Sequence, residues 1–138
     1  MRKVLIDINI ILDILNKRDD HESAARIFDM CVKRSLKGFL CSHEITTLSY
    51  FMEKYKYPND KRVYIINKIL DVFSIIPATE KILRDSLQSG ISDYEDAVIE
   101  TSAKYEEVDM IITRNIKDFK ESNLVCCTAV EALAIIGG

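Results

Sequence analysis

The feature that most constrains the fold is a series of short apolar runs, each followed by a segment with helical periodicity. Runs rich in Val, Ile and Leu without polar alternation are typical of strands buried on both faces of a parallel sheet. The sequence therefore predicts a three-layer α/β/α sandwich with a central parallel sheet of about five strands. We expect one domain spanning residues 1–138. The predicted strands are Lys3–Ile6, Phe39–Cys41, Phe73–Ile76, Met110–Thr113 and Leu124–Cys127.

The segments between the strands carry apolar residues at helical spacing, together with residues that favour helix caps. Ser92 and Glu95 form a capping-box pattern just before Asp96. The expected helices are Ile8–Leu15, one capped by Asp19 or Asp20 and ending before Gly38, one capped by Ser42 and ended by Pro58, one starting at Asp60 with Val63, Ile66, Ile69 and Leu70 buried, Thr79–Ser89, Asp96–Tyr105 and one capped by Thr128 that continues through Ile136.

Composition excludes several classes of protein. With 48% hydrophobic residues, 4 Gly and 2 Pro, the chain is not disordered or of low complexity. Its net charge of −3 excludes a generally basic nucleic-acid coat. Asp7 and Asp13 interrupt the apolar start, so neither a signal peptide nor a membrane segment is expected. The four cysteines lack zinc-site spacing, which favours buried thiols and a cytoplasmic location.

Polar side chains follow the predicted strands at their carboxyl ends, where ligands bind in open parallel sheets. If the first and fourth strands are neighbours, these groups point into one crevice. Clustered carboxylates repel one another unless a cation lies between them. Oxygen ligands without His or Cys favour Mg²⁺ or Mn²⁺. The residues concerned are Asp7, Glu44, Asp93, Asp96, Thr113, Asn115 and Asp118.

Most of these residues also have a purely structural interpretation, and for Asp118 it is the start of a short turn before Phe119. Asp7 has the right position to cap the helix that follows it, and Asp93 is favoured by the dipole of its helix. Thr113 and Asn115 suit a strand end and a turn. Asp96 lies just before an apolar segment, where a carboxylate needs a partner.

Three segments resemble the motifs of PIN domains, and of the small bacterial VapC-like toxin ribonucleases in particular. They are Leu5–Asn9, Asp93–Val98 and Ile112–Phe119, in that order along the chain. The resemblance implies a parallel sheet between helices and dependence on Mg²⁺ or Mn²⁺. It also implies hydrolysis of single-stranded RNA to 5′-phosphate and 3′-hydroxyl products, a small antitoxin protein as partner and a homodimer.

We therefore expect a metal-dependent endoribonuclease that acts as the toxin of a type II toxin–antitoxin pair. Asp7 and Asp96 are the predicted primary metal ligands, and Asp93 completes the set directly or through water. Asn115 is predicted to serve as a neutral ligand or to orient a water. Thr113 is predicted to hold Asp7 or the attacking water through its hydroxyl.

The chain departs from the PIN pattern in the helix after the second strand. The position that usually carries a Glu, about six residues after Ser42, is Leu48, which cannot bind a cation. Glu44 lies one turn earlier on the same helix face and is predicted to replace it. The alternative is a catalytically weakened module that binds RNA or an antitoxin without cleavage.

Two further groups of residues are candidates for contacts with RNA or a partner. Tyrosines near Pro58 suit base stacking or an antitoxin groove, although ordinary helix packing is the first expectation for most of them. They are Tyr50, Tyr55, Tyr57 and Tyr64. The candidate phosphate-binding residues, for which surface ion pairs are the alternative, are Arg2, Lys3, Lys17, Arg18, Arg114, Lys117 and Lys120.

Overall fold

The computed structural model describes residues 1–137. Its strands are β1 (Arg2–Ile6), β2 (Leu36–Cys41), β3 (Ser74–Ile76), β4 (Met110–Ile112) and β5 (Cys126–Cys127). Its helices are α1 (Ile8–Asn16), α2 (His21–Val32), α3 (Ser42–Lys54), α4 (Asn59–Val72), α5 (Glu80–Ser86), α6 (Tyr94–Glu106) and α7 (Ala129–Ile136), with a 3₁₀ turn at Ile116–Phe119.

The strands form one parallel sheet in the order β3-β2-β1-β4-β5. The predicted α/β sandwich with a five-stranded parallel sheet is therefore confirmed. The chain moves outward in one direction from β1 to β3 and then returns to place β4 on the other side of β1. This reversal puts the carboxyl ends of β1 and β4 side by side, with Ile6 opposite Ile112. Such a switch point is where open α/β sheets bind ligands.

Alternate residues of β1 belong to two different hydrophobic cores. Val4 and Ile6 pack on one face with residues of α1, α2, α3, α4 and α7. Leu5 packs on the other face with residues of α5 and α6. All three side chains are at most 1% exposed. Burial on both faces explains why these central positions of β1 are apolar without polar alternation.

The second strand is longer than predicted, and the helix before it is shorter. Helix α2 ends at Val32, and β2 already begins at Leu36, so Gly38 lies inside the strand. A Cβ atom on Gly38 would lie 2.7 Å from the ring of Phe73 and 2.8 Å from the sulfur of Cys31. This glycine allows a close approach between layers and does not end a helix.

Three predicted helix caps differ in the structure. Cys41 occupies the cap position of α3, and the Ser42 hydroxyl accepts a hydrogen bond from the Ala78 N–H instead (3.0 Å). Asp93, not Ser92, caps α6. Asp20 precedes α2 without a side-chain cap bond. The capping box of Thr128 with Glu131 is present as expected from the Thr128 prediction.

Helix α4 buries only part of the predicted face, since Ile66 and Ile69 pack in or against the core as expected and Val63 and Leu70 do not. Ile69 and Val72 are buried, whereas Val63 is 51% exposed and Leu70 is 46% exposed. Helix α5 ends at Ser86, three residues before the predicted end. Cys31, Cys41 and Cys127 are buried free thiols, and Cys126 is a partly exposed one. No helix within residues 1–137 is long and apolar enough to cross a membrane.

Candidate active site at the carboxyl edge of the sheet

Asp7 is held at the end of β1 by contacts from three directions. Its N–H donates to the Ile112 carbonyl (2.9 Å), which continues the pairing of β1 with β4. Its Oδ1 accepts from the Asn9 N–H (3.3 Å), so Asp7 also caps α1. Its Oδ2 accepts from the Thr113 hydroxyl (2.8 Å). Asp7 is 5% exposed. Capping and placement at the sheet edge are therefore compatible.

Thr113 connects Asp7 to the loop that follows β4. It is fully buried, and its hydroxyl donates to Asp7 and accepts from the Asn115 N–H (3.1 Å). One hydroxyl thus orients the Asp7 carboxylate and fixes the turn that carries Asn115. The predicted contact between Thr113 and Asp7 is present in the structure.

Glu44 lies in the first turn of α3 and is only 1% exposed. Its Oε2 accepts from the Ile8 N–H (3.1 Å), while its buried Oε1 has no hydrogen-bond partner. Burial raises the pKa of Glu44 well above its usual value, and the adjacent Asp7 raises it further. Leu48 is fully buried in the core cluster and does not reach the cleft. Glu44 is therefore the acid that α3 directs toward Asp7.

Helix α6 begins with three acids near the same cleft. The Asp93 carboxylate accepts a hydrogen bond from the Asp96 N–H (3.0 Å), which fixes the first turn. Burial raises the pKa of Asp96 to about 7, with further contributions from Asp93, Asp7, Asp118 and Glu95. Burial followed by Asp93 and Asp7 also raises the pKa of Glu95. These acids repel one another across the edge of the sheet.

The side chains surround a cleft of about 280 Å³. No Lys or Arg is among the residues that line it. Asn115 lines the cleft and Thr113 lies beneath it. Sequence reasoning assigned Glu95 a capping role alone; its place beside Asp96 in the first turn of one helix was the available signal. The acids that line the cleft are Asp7, Glu44, Asp93, Glu95, Asp96 and Asp118.

The donor set fits a hard divalent cation. It offers carboxylate and amide oxygens, which Mg²⁺ and Mn²⁺ prefer. The unpartnered Oε1 of Glu44 beside Asp7 is a buried acceptor that a cation would satisfy. Within residues 1–137, no three His, Cys, Asp or Glu side chains are grouped tightly enough to form a metal cage by themselves. Water or substrate oxygens would have to complete the coordination, as is usual for Mg²⁺.

Basic residues predicted to capture substrate fall into different places. Arg2 and Lys3 lie at the start of β1, the opposite edge of the sheet from Asp7, and the Lys3 ammonium donates to the Glu106 carbonyl. Arg114 and Arg18 form ion pairs with Asp13 (2.8 and 3.6 Å). Lys17 lines a separate cleft, and Lys117 and Lys120 line a pocket beside the acids.

The two histidines lie outside the set of residues that line the cleft. His43 precedes Glu44 in the chain, and both its ring nitrogens are buried without a hydrogen-bond partner. Burial lowers the pKa of His43, although nearby Asp7 opposes this shift. The ring of His21 contacts the Arg18 carbonyl (2.9 Å) at the start of α2.

The tyrosines near Pro58 are mostly exposed, which differs from the expected helix packing. Tyr50, Tyr55 and Tyr64 are 60%, 45% and 69% exposed. Tyr57 alone of these four is partly buried against the core. Tyr64 also lines an apolar groove between α1, α2 and α4 of about 130 Å³. The other groove residues are Ile11, Ile14, Leu15, Phe28, Ile65, Lys68 and Ile69.

Solved structures with the same fold come from several bacteria. VapBC2 from Rickettsia felis, bound to a DNA fragment from its promoter, has a TM-score of 0.67 and 24% identity, covering 90% of this chain and 96% of that one. A toxin–antitoxin complex from Klebsiella pneumoniae has a TM-score of 0.68 and 21% identity, and the match covers 91% of this chain and 97% of that one. FitAcB from Neisseria gonorrhoeae has a TM-score of 0.61 and 17% identity, and the match covers 92% of this chain and 98% of that one. At these identities the likeness establishes a shared fold.

No curated protein matches the chain. A family model described as "PIN domain" matches residues 3–117. This range contains β2 to β4, all of β1 after Arg2, and every acid that lines the cleft except Asp118. Because the match covers most of the sequence, the chain belongs to the PIN domain family.

Proposed function

We propose that this protein is a Mg²⁺- or Mn²⁺-dependent endoribonuclease that hydrolyses phosphodiester bonds of single-stranded RNA. The observation that carries the proposal is a cleft lined by six carboxylates and by no basic side chain, at the switch point of a PIN domain sheet. Repulsion between these clustered carboxylates destabilises the protein alone. A divalent cation bound together with the substrate would offset that repulsion.

Each residue of the cleft has a proposed part. Asp7 and Asp96 hold the cation, and Glu44 and Asp93 complete the carboxylate set directly or through water. Asn115 orients a water with its side-chain amide. A bound Mg²⁺ or Mn²⁺ ion would supply a water of lowered pKa and would offset negative charge on the phosphate.

The remaining residues keep these groups in position. Thr113 fixes the rotamer of Asp7 through its 2.8 Å hydrogen bond. The Ile8 N–H holds one carboxylate oxygen of Glu44 and leaves the second oxygen without a hydrogen-bond partner. Rigid support of this kind allows the chain to hold charges that repel one another.

We also propose that the protein is the homodimeric toxin of a toxin–antitoxin pair. The similar structure from Klebsiella pneumoniae is a toxin–antitoxin complex, and the one from Rickettsia felis is VapBC2 bound to promoter DNA. The apolar groove between α1, α2 and α4, with exposed Tyr64 at its side, suits the apolar face of an antitoxin helix. Growth that stops on expression of this chain and recovers with a small adjacent-gene protein supports this assignment. Unaffected growth with intact RNA contradicts it.

A second candidate, an RNA- or antitoxin-binding module without cleavage, is favoured by one observation. Leu48 occupies the position of the usual helix Glu and is fully buried. If Glu44 does not replace that acid, the cleft lacks one ligand. Calorimetric titration with Mn²⁺ separates the candidates, because an incomplete site binds Mn²⁺ poorly.

The direct test is cleavage of RNA in the presence of Mg²⁺ by Asp7→Asn and Asp96→Asn variants. We expect each to lose at least about a hundredfold in rate, because each removes a charge that would hold the cation. Asp29→Asn is the matched control, since Asp29 is an exposed residue of α2 that forms an ion pair with Lys33. Undiminished cleavage by the cleft variants would contradict the proposed roles.

A further inference from the structure

The acid cleft continues into a second pocket, where two lysines stand among four acids. This pocket, of about 340 Å³, lies between the α5–α6 loop and the 3₁₀ turn. It shares Asp93, Asp96 and Asp118 with the acid cleft, so the two form one groove. Its opposite wall contributes Lys117 and Lys120. We name it the lysine pocket.

Lys117 and Lys120 are placed to act together. They are three residues apart around a 3₁₀ turn, and a 3₁₀ helix has three residues per turn, so both side chains lie on the same side. Within residues 1–137, neither ammonium forms an ion pair with a carboxylate, although Glu121 and Asp118 also line the pocket. Both lysines therefore remain available to an external anion.

The other basic residues near this end of the chain are not comparable. The Asp13 carboxylate binds both Arg114 and Arg18. Lys17 lines a cleft that contains none of the acids of the active site. Of the seven basic residues considered from the sequence, Lys117 and Lys120 are the two that line a groove shared with those acids.

The wall opposite the lysines is held firmly. The Ser89 hydroxyl donates to the buried Glu100 carboxylate (2.7 Å) and accepts from the Ile91 N–H (3.1 Å). Ile91 itself is only 7% exposed. The loop that leads to Asp93 is thus tied to the middle of α6. A wall that is already ordered loses little conformational entropy when a ligand binds.

We propose that the lysine pocket is the phosphate-binding subsite for the RNA chain next to the bond that is cut. Lys117 and Lys120 bind backbone phosphate oxygens there, while the acid cleft would hold the cation that acts on the scissile phosphate. This inference rests on the proposed nuclease function and adds the path of the substrate. The groove would lead the strand from the acids along the 3₁₀ turn, and contacts to phosphate carry no base preference.

The test compares a Lys117→Ala/Lys120→Ala protein with a Lys33→Ala/Lys54→Ala control. Both changes remove two positive charges, but Lys33 and Lys54 lie at the far ends of α2 and α3, outside the groove. In the cleavage assay with Mg²⁺, we expect the groove variant to raise KM at least about tenfold with little change in kcat. The control should match the unmodified protein.

Binding without cleavage provides the second readout. Fluorescence anisotropy of a short labelled, unstructured RNA is measured on the Asp7→Asn protein, with and without the two lysine substitutions. Loss of two phosphate contacts should reduce the slope of log Kd against log salt concentration by about 1.4. The Lys33/Lys54 substitutions should leave that slope unchanged. Equal slopes and affinities for both double variants would overturn the inference.

The two proposals fail in different ways. If the unmodified protein does not cleave RNA but its binding depends on Lys117 and Lys120, the nuclease function fails and the phosphate subsite stands. If the protein cleaves RNA with the same KM after both lysines are replaced, the nuclease function stands and the subsite is wrong.

Discussion

Three buried acids in or beside helix α1 have two opposite kinds of electrostatic surroundings. Asp13, 4% exposed, has the guanidinium of Arg114 at 2.8 Å and that of Arg18 at 3.6 Å. Burial raises the pKa of Asp13, and both arginines act against that rise. Asp7 and Glu44 are buried to a similar degree but line a cleft with further acids and with no Lys or Arg. The chain provides two arginines as ion-pair partners for Asp13, whereas no Lys or Arg lines the acid cleft.

The contrast indicates which buried charge is structural and which is held for a ligand. A paired acid links distant segments, since Asp13 and Arg114 are 101 residues apart. An unpaired cluster lowers the stability of the folded state and persists only if something outside the chain offsets the cost. The comparison therefore predicts that an added divalent cation acts at the cleft and not at Asp13.

The largest expected effect is stabilisation by Mg²⁺. At a concentration about a hundredfold above its Kd, a ligand specific for the folded state adds about 2.7 kcal/mol to the free energy of unfolding, or about 8 °C in Tm. Differential scanning calorimetry with and without Mg²⁺ measures the shift. An Asp7→Asn/Asp96→Asn protein should lose most of it, and Asp13→Asn should keep it. If the double variant keeps the full Mg²⁺-induced shift in Tm, the cation does not bind at the cleft.

Next in size is the loss of the Asp13 ion pairs. Asp13→Asn leaves two guanidinium groups without a carboxylate, but it also removes a charge whose burial raises the pKa of Asp13, so we expect a net loss of about 1.5 kcal/mol in the free energy of unfolding. The effect is below that of a fully buried pair because Arg114 is 39% exposed and can turn to water. Urea denaturation measures it, with Asp29→Asn as the exposed control, for which about 0–1 kcal/mol is expected. If both variants lose the same free energy of unfolding, the ion pairs of Asp13 stabilise the fold no more than an exposed pair does.

The hydroxyl of Thr113 should affect activity more than stability. Thr113→Val keeps the buried shape but removes the donor to Asp7, and we expect RNA cleavage to fall about tenfold, with a weaker response to Mg²⁺. Thr113→Ser retains the hydroxyl and should restore most of the rate. If Val and Ser variants have the same rate and the same Mg²⁺ response, the hydroxyl does not position Asp7.

The smallest effect concerns pH. The pKa of Asp96 is about 7 in the folded protein against 3.8 as its ordinary value, so the folded state binds more protons between these values. Metal-free protein should therefore lose stability as pH rises from about 4 to about 7. Asp96→Asn removes this contribution and should stabilise metal-free protein at pH above 7 by about 1 kcal/mol or less, since Asp96 is only half-buried. Urea denaturation of the metal-free proteins at about pH 4 and above pH 7 measures this difference. If the Asp96→Asn variant is less stable than the unmodified protein above pH 7, the prediction is wrong.

Local signals in the sequence predicted the existence and order of the elements well. The apolar runs at Lys3–Ile6 and Phe39–Cys41 lie within β1 and β2, and Thr128 caps α7. Boundaries were harder because several residues suit neighbouring positions. Ser92 and Asp93 are both good caps, and only the packing of α6 makes Asp93 the one that bonds to the helix.

The candidate site was predictable in part. The resemblance and the strand-end positions brought Asp7, Asp96 and Asn115 into one group, and they line one cleft in the structure. Glu95 was missed because a Glu in the first turn of a helix has a sufficient local explanation. Arg2 was misplaced because a basic residue at a strand start lies at the edge opposite the cleft. The roles of all these residues stay predictions.

The amino-acid order alone determined the α/β class, the parallel strands and the acids that follow them, because periodicity, caps and strand ends are local properties of the chain. Only the tertiary structure decided which acids form ion pairs with arginines of the same chain and which lysines share a groove with the unpaired acids. That outcome depends on β4 lying beside β1, which brings Arg114 to Asp13 and places Lys117 and Lys120 next to Asp96. Charges separated by most of the chain interact only after the sheet has formed.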